Sequence, residues 1–101
     1  MPPPVTLAAF QKLIRDRYYP TDSARGTPGT FMWFMEEIGE LATALQNNSA
    51  GKKPSAAERA NLDEEFADVL AWLTTLANIN GVDLEVACRK YTEQGVEGVK
   101  D

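Results

Sequence analysis

The chain has 101 residues, a net charge of −5, a pI of about 4.7 and no histidine. That length allows one domain with a modest core. The acidity argues against a nucleic-acid partner, which needs a basic face, and the missing imidazoles exclude His general bases and the His-containing zinc and di-iron sites. The single Cys88 cannot form an internal disulfide and suits a reducing compartment. The start MPPPVT lacks a signal pattern, and no apolar run approaches the roughly 20 residues needed to span a bilayer. A cytoplasmic protein with no membrane partner is expected.

In chain order, residues 1–5 read as a short extended lead, because prolines do not enter a helix interior. Thr6 can cap a first helix running to about Tyr18, with Leu7, Phe10, Leu13 and Ile14 as its apolar stripe and Gln11, Lys12, Arg15 and Arg17 outward. Pro20–Gly29 reads as a loop from its Pro, Gly, Asp, Ser and Thr content. Thr27-Pro28 then caps a second helix ending near Asn47. After the loop NNSAGKKP, in which Lys52 and Lys53 read as solvated charges, Ser55-Ala-Ala-Glu58 forms a capping box. A third helix starts there and ends near Asn80, with Gly81 as its left-handed cap. Asp83 caps a fourth helix, from Leu84 to about Gln94, and the tail 96–101 reads as flexible. No strand alternation occurs. The expected fold is all-α: one domain over 1–101, an antiparallel hairpin of helices two and three with short flanking helices.

Two stretches carry the chemistry. Glu36-Glu37-Ile-Gly-Glu40 and Glu64-Glu65-Phe-Ala-Asp68 match in kind at an offset of 28. At about 100° per residue, Phe31, Phe34, Leu41, Ala42 and Leu45 fall within about 60° of Ile38 and form a stripe. Glu37 and Glu40 lie to one side of it, at about −100° and −160°. In helix three the stripe is Leu62, Phe66, Val69, Leu70, Leu73 and Leu76, and Glu65 and Asp68 lie to the same side. If the stripes face each other, Glu37, Glu40, Glu65 and Asp68 converge along one rim of the antiparallel pair. Four carboxylates that close repel, so their pKa values rise or cations neutralise them. An all-oxygen donor set selects a hard ion, Mg²⁺ or Mn²⁺. A solvated acidic face would carry Lys or Arg at i+4, and here those positions hold Leu41, Ala44, Val69 and Trp72.

The two acidic motifs, with EEIGELATALQ, EEFADVLAWLTTLA and the Gly81-Val-Asp-Leu-Glu85 turn into Arg89-Lys-Tyr, resemble the MazG-type nucleoside triphosphate pyrophosphohydrolases. The resemblance covers roughly Phe10 to Tyr91. It implies hydrolysis of a (deoxy)nucleoside triphosphate to the monophosphate and pyrophosphate, in house-cleaning or control of the nucleotide pool. It also implies Mg²⁺, or Mn²⁺, held by Glu37, Glu40, Glu65 and Asp68. By the same similarity Glu36 is the candidate base for the attacking water, and Lys90 resembles a position that contacts phosphate. Trp33 and Trp72 sit among the acids and could stack on a base, or could instead be core or interface residues. Asn78 could hydrogen-bond a base or sugar, or simply end the helix, and Arg25 in the preceding loop could reach phosphate or face solvent. Cys88 reads as a small buried residue rather than a nucleophile.

The run Phe31-Met-Trp-Phe-Met35 is apolar in every direction around its helix, which a chain this short cannot cover unaided. A homo-oligomer, dimer or tetramer built as a four-helix-type bundle, is therefore expected. The competing reading is a non-enzymatic helical dimerisation module whose acids serve solubility. A carboxylate-bridged di-iron bundle is disfavoured, since those sites use Glu-x-x-His.

Overall fold

The Thr6 hydroxyl accepts a hydrogen bond from the Ala9 N–H at 3.1 Å and starts α1, Leu7–Asn47. In the computed structural model, which describes residues 4–93, α1 is followed by α2 (Ala56–Ile79), α3 (Leu84–Ala87) and α4 (Arg89–Thr92). Among the described residues there is no strand.

The segment Pro20–Gly29, expected as a loop, is helical except at one point. Gly26 has φ 77° and ψ 175°, a region open essentially to glycine alone, and it divides α1 into arms 7–25 and 27–47. Pro20 costs the helix one backbone donor. The loss is offset because the turn after it is anchored: Asp22 is buried and accepts a hydrogen bond from Thr75 on α2 at 3.1 Å. Tertiary anchoring outweighs a loop-like composition here, and the first helix passes Tyr18 for two further turns. Thr27, expected as a cap, instead accepts a hydrogen bond from Asn80 Nδ2 at 3.1 Å.

The boundaries of α2 follow the sequence closely. Ser55 and Glu58 form the reciprocal capping box, with bonds of 3.0 and 2.9 Å. At the other end Gly81 has φ 68°, and the Val82 and Gly81 N–H groups close back on Ala77 and Asn78 carbonyls at 2.9 and 3.3 Å, a Schellman cap. Asp83 caps α3, but the expected fourth helix is two single turns meeting at Cys88. Cys88 is exposed, not buried, at the junction of these two short turns. The predicted end of that helix at Gln94, the tail 96–101 and residues 1–3 of the lead lie outside the described residues.

The second arm of α1 and α2 form the expected antiparallel hairpin. Asn48 clasps its turn, donating to the Ala44 and Glu58 carbonyls at 2.8 and 3.1 Å. The seam differs from the expectation. It runs through Thr30, Glu37 and Ala44 on α1 and Leu62, Glu65 and Trp72 on α2. Much of the stripes expected to face each other is turned outward: Phe31 is 50% exposed and Phe66 53%, with Leu45, Leu70 and Leu73 also exposed, whereas Leu62 stays buried and Phe34, Ile38, Leu41, Val69 and Leu76 are half-buried. Helical rotation places Phe31, Met35, Ile38 and Leu45 about 80–160° from Glu37, and Phe66, Leu70 and Leu73 about 80–140° from Glu65, in the same sense. In an antiparallel pair these rows share one side of the hairpin, and Glu40 and Asp68, about 60° the other way, share the opposite side.

The first arm packs on a third face of α2, that of Ala71, Thr74, Thr75 and Asn78, with Ile14 buried between them. Gln11, expected to face outward, ties three segments together. It donates to Asn78 Oδ1 at 3.0 Å and to the Val82 carbonyl at 2.7 Å, and it accepts from the Leu84 N–H at 2.9 Å.

Candidate metal centre

The seam has room for small or narrow groups where it passes Thr30 and Ala44, and between them it encloses carboxylates. One oxygen each from Glu37, Glu65 and Asp68 lies within 4.8 Å of the others. Glu37 and Glu65 are half-buried and Asp68 is exposed at the edge. Glu40 adjoins them closely enough to touch the Glu37 carboxyl and to act on Glu65.

The electrostatics follow from this enclosure. Burial raises Glu37 from 4.5 to about 7, helped by the carboxyl–carboxyl contact with Glu40 and by the charges of Glu40, Asp68 and Glu65. Burial also raises Glu65, with Glu40 and Asp68 adding to it. The Oε2 atoms of Glu37 and Glu65 are buried and have no hydrogen-bond partner among the described residues. An unpaired buried carboxylate oxygen is costly. Two of them aimed into one acidic seam, with only oxygen donors around, fit a hard divalent cation.

Other sequence-predicted site residues fall in several places. Trp33 and Trp72 stack on each other, ring centroids 6.1 Å apart and planes 16° from parallel. Arg25 lies with its guanidinium 5.0 Å from the Trp72 ring centre, held by Asp22 at 3.2 Å and donating to Thr30 Oγ1 at 3.3 Å. These three side chains therefore gather at one end of the acidic seam. Glu36 is exposed and stands outside the three-carboxylate group. Asn78 is buried in the Gln11 tie rather than turned to the acids. Lys90 is exposed on α4, beyond the end of α2. Asp68 lies 11 residues before Ile79, so about 16 Å of helix separates that end from the acids.

Two residues that join this site were not singled out from sequence, Asp22 and Thr75. Their signal was faint: Asp22 and Arg25 stand at i,i+3, and Ile14, Tyr18 and Asp22 continue a helical face across Pro20.

The fold is a helical hairpin that holds a carboxylate cluster in its own seam. The family model of the MazG nucleotide pyrophosphohydrolase domain matches residues 27–95, well over half the chain, and the chain belongs to that family. A search of curated proteins gives no match. No helix among the described residues is long and apolar enough to cross a membrane.

Proposed function

We propose that the protein is a Mg²⁺-dependent nucleoside triphosphate pyrophosphohydrolase that converts a (d)NTP and water to the (d)NMP and pyrophosphate, in house-cleaning or control of the cytoplasmic nucleotide pool. The observation that carries this reading is the group of Glu37, Glu65 and Asp68 oxygens within 4.8 Å, two of the side chains having a buried unpaired oxygen. Glu37, Glu40, Glu65 and Asp68 would hold the ion. Mg²⁺, or Mn²⁺, supplies charge neutralisation and Lewis acidity at phosphate when bound.

The chain's own residues divide the remaining work. The seam carboxylates repel a bare triphosphate, so binding without a cation is suppressed. In this reading Glu36, adjacent to Glu37 in sequence and exposed, orients the attacking water or accepts its proton as the α–β anhydride opens and pyrophosphate leaves. Arg25, clamped by Asp22, offers its remaining donors beside Trp72. Trp33 and Trp72 wall the end of the site as a stacked pair. Asn78 serves the base only indirectly, by holding the first arm against α2 through Gln11.

The working form is a homo-oligomer. The side chains buried deepest in one chain are small or polar, Thr30, Ala44 and Thr74, whereas Phe31, Met35, Phe66, Leu70 and Leu73 are exposed on one side of the hairpin. An apolar row of that size on two adjacent helices supports pairing with a copy of itself into a four-helix bundle. Lys90 could then serve the acids of another subunit. The deciding experiment is pyrophosphate release from a panel of dNTPs with Mg²⁺. No release from any of them would overturn the reading.

A further inference from the structure

A cavity of about 270 Å³ opens beside the acids, with Trp72 as a wall. α2 contributes Ala71 and Thr75 to it, and the first arm of α1 contributes Ile14, Tyr18, Asp22 and Arg25. Those four residues precede the matched stretch, which begins at residue 27. Trp72 and Thr75 follow Asp68 by about 6 and 10 Å of helical rise. A phosphate chain held at the acids would extend its sugar and base toward the cavity.

Asp22 gives the cavity its chemistry. It is a carboxylate only 4% exposed. Its Oδ1 accepts from Arg25 Nη1 at 3.2 Å and its Oδ2 from Thr75 Oγ1 at 3.1 Å. A carboxylate offers about four lone-pair sites, so acceptor capacity remains on both oxygens. Arg25 and Thr75 also fix its orientation, from α1 and α2 respectively. A buried, ion-paired carboxylate has nothing to donate: it accepts from an N–H and repels a carbonyl oxygen. The stacking faces discriminate little, because Trp72 is already paired with Trp33 and overlaid by Arg25. Base selection therefore falls to the edge that meets Asp22. Cytosine and adenine present an exocyclic amino group where uracil, thymine and hypoxanthine present a carbonyl.

We propose that Asp22, oriented by Thr75 and Arg25, is a specificity-determining residue that selects nucleotides whose base carries an exocyclic amino group. This rests on the reading of the chain as a nucleotide pyrophosphohydrolase. The test compares kcat/KM in the near-isosteric pairs dCTP against dUTP and dATP against dITP, by pyrophosphate release with Mg²⁺. The amino-bearing member of each pair should be favoured about 10- to 100-fold, the range of one charge-assisted hydrogen bond. Asp22→Asn, whose amide can donate to a carbonyl, should cut each ratio about tenfold or more. Equal kcat/KM within both pairs, or ratios unchanged in a folded Asp22→Asn, would overturn the inference while leaving the hydrolytic activity in place. Quenching of tryptophan fluorescence by dCMP and dUMP without metal gives a readout independent of turnover. If no triphosphate is hydrolysed the underlying reading fails, and tighter binding of dCMP would still support Asp22 where equal binding would not. Should Asp22→Asn fail to fold, the wild-type pairs and the two monophosphates decide.

Discussion

This chain has no histidine, the side chain that ordinarily titrates between about pH 5.5 and 8. Two seam carboxyls are shifted toward that window: Glu65 is raised by burial, and Glu37 is raised from 4.5 to about 7 by burial, by its contact with Glu40 and by the neighbouring charges. A raised carboxyl binds its proton more tightly in the folded than in the unfolded chain. Its contribution to stability is fully present below pH 4.5 and is lost as the pH climbs through about 7. One pKa unit is worth about 1.4 kcal/mol, which bounds the effect near 3 kcal/mol. Glu37 is only half-buried, and solvent screening reduces this to about 1–1.5 kcal/mol. For a domain of this size that corresponds to a Tm of the metal-free protein lower by about 4–10 °C at pH 8 than at pH 5.5. Glu37→Gln should remove most of the slope, and Mg²⁺ should reverse it, because the ion binds the deprotonated form and gains affinity as the pH rises. Circular dichroism melts with chelator or Mg²⁺, at one protein concentration, provide the assay. A metal-free Tm flat across this window, or a slope that Glu37→Gln leaves intact, would refute the reasoning.

Single changes of Glu40, Glu65 or Asp68 to Ala should abolish pyrophosphate release and leave the helical dichroism in place, with metal-free stability unchanged or raised as repulsion is relieved. Loss of helicity in all three would assign them a structural role instead. Turnover should require Mg²⁺ or Mn²⁺, stop with chelator and be poorly supported by Ca²⁺, whose looser coordination activates bound water less; full turnover in chelator would exclude the mechanism. Light scattering should give a mass well above the 11.1 kDa of one chain, and Leu73→Asp on the exposed apolar row should lower it and reduce activity together; an active wild-type monomer would refute the assembly. Gly26→Ala should destabilise the fold by about 1–3 kcal/mol, since φ 77° with ψ 175° strains any side chain; an unchanged Tm would show that the break between the arms does not depend on glycine.

Much of the architecture is written in local signals. Ser55 and Glu58 mark the start of α2, Gly81 closes it, and both act within one turn of chain, so they are legible without knowing the fold. The same holds for the repeated acids. Glu37 with Glu40, and Glu65 with Asp68, share an angular offset from their stripes, and helical geometry alone brings them to one side of an antiparallel pair. What the sequence could not decide is which face turns inward. Both helices are apolar around much more than one stripe, so periodicity leaves the choice of seam open. Only packing settles it: small Thr30 and Ala44 let the backbones approach, and the bulky Phe31, Phe66 and Leu73 stay outside. The path through Pro20 was hidden for a related reason. Composition describes the local preference of a segment, whereas the helix there is held by Asp22 and Thr75, partners 53 positions apart in sequence. Caps and periodicity are properties of neighbours along the chain. The seam, the buried Asp22 and the wall beside Trp72 are properties of neighbours in space, and only tertiary structure brings those together.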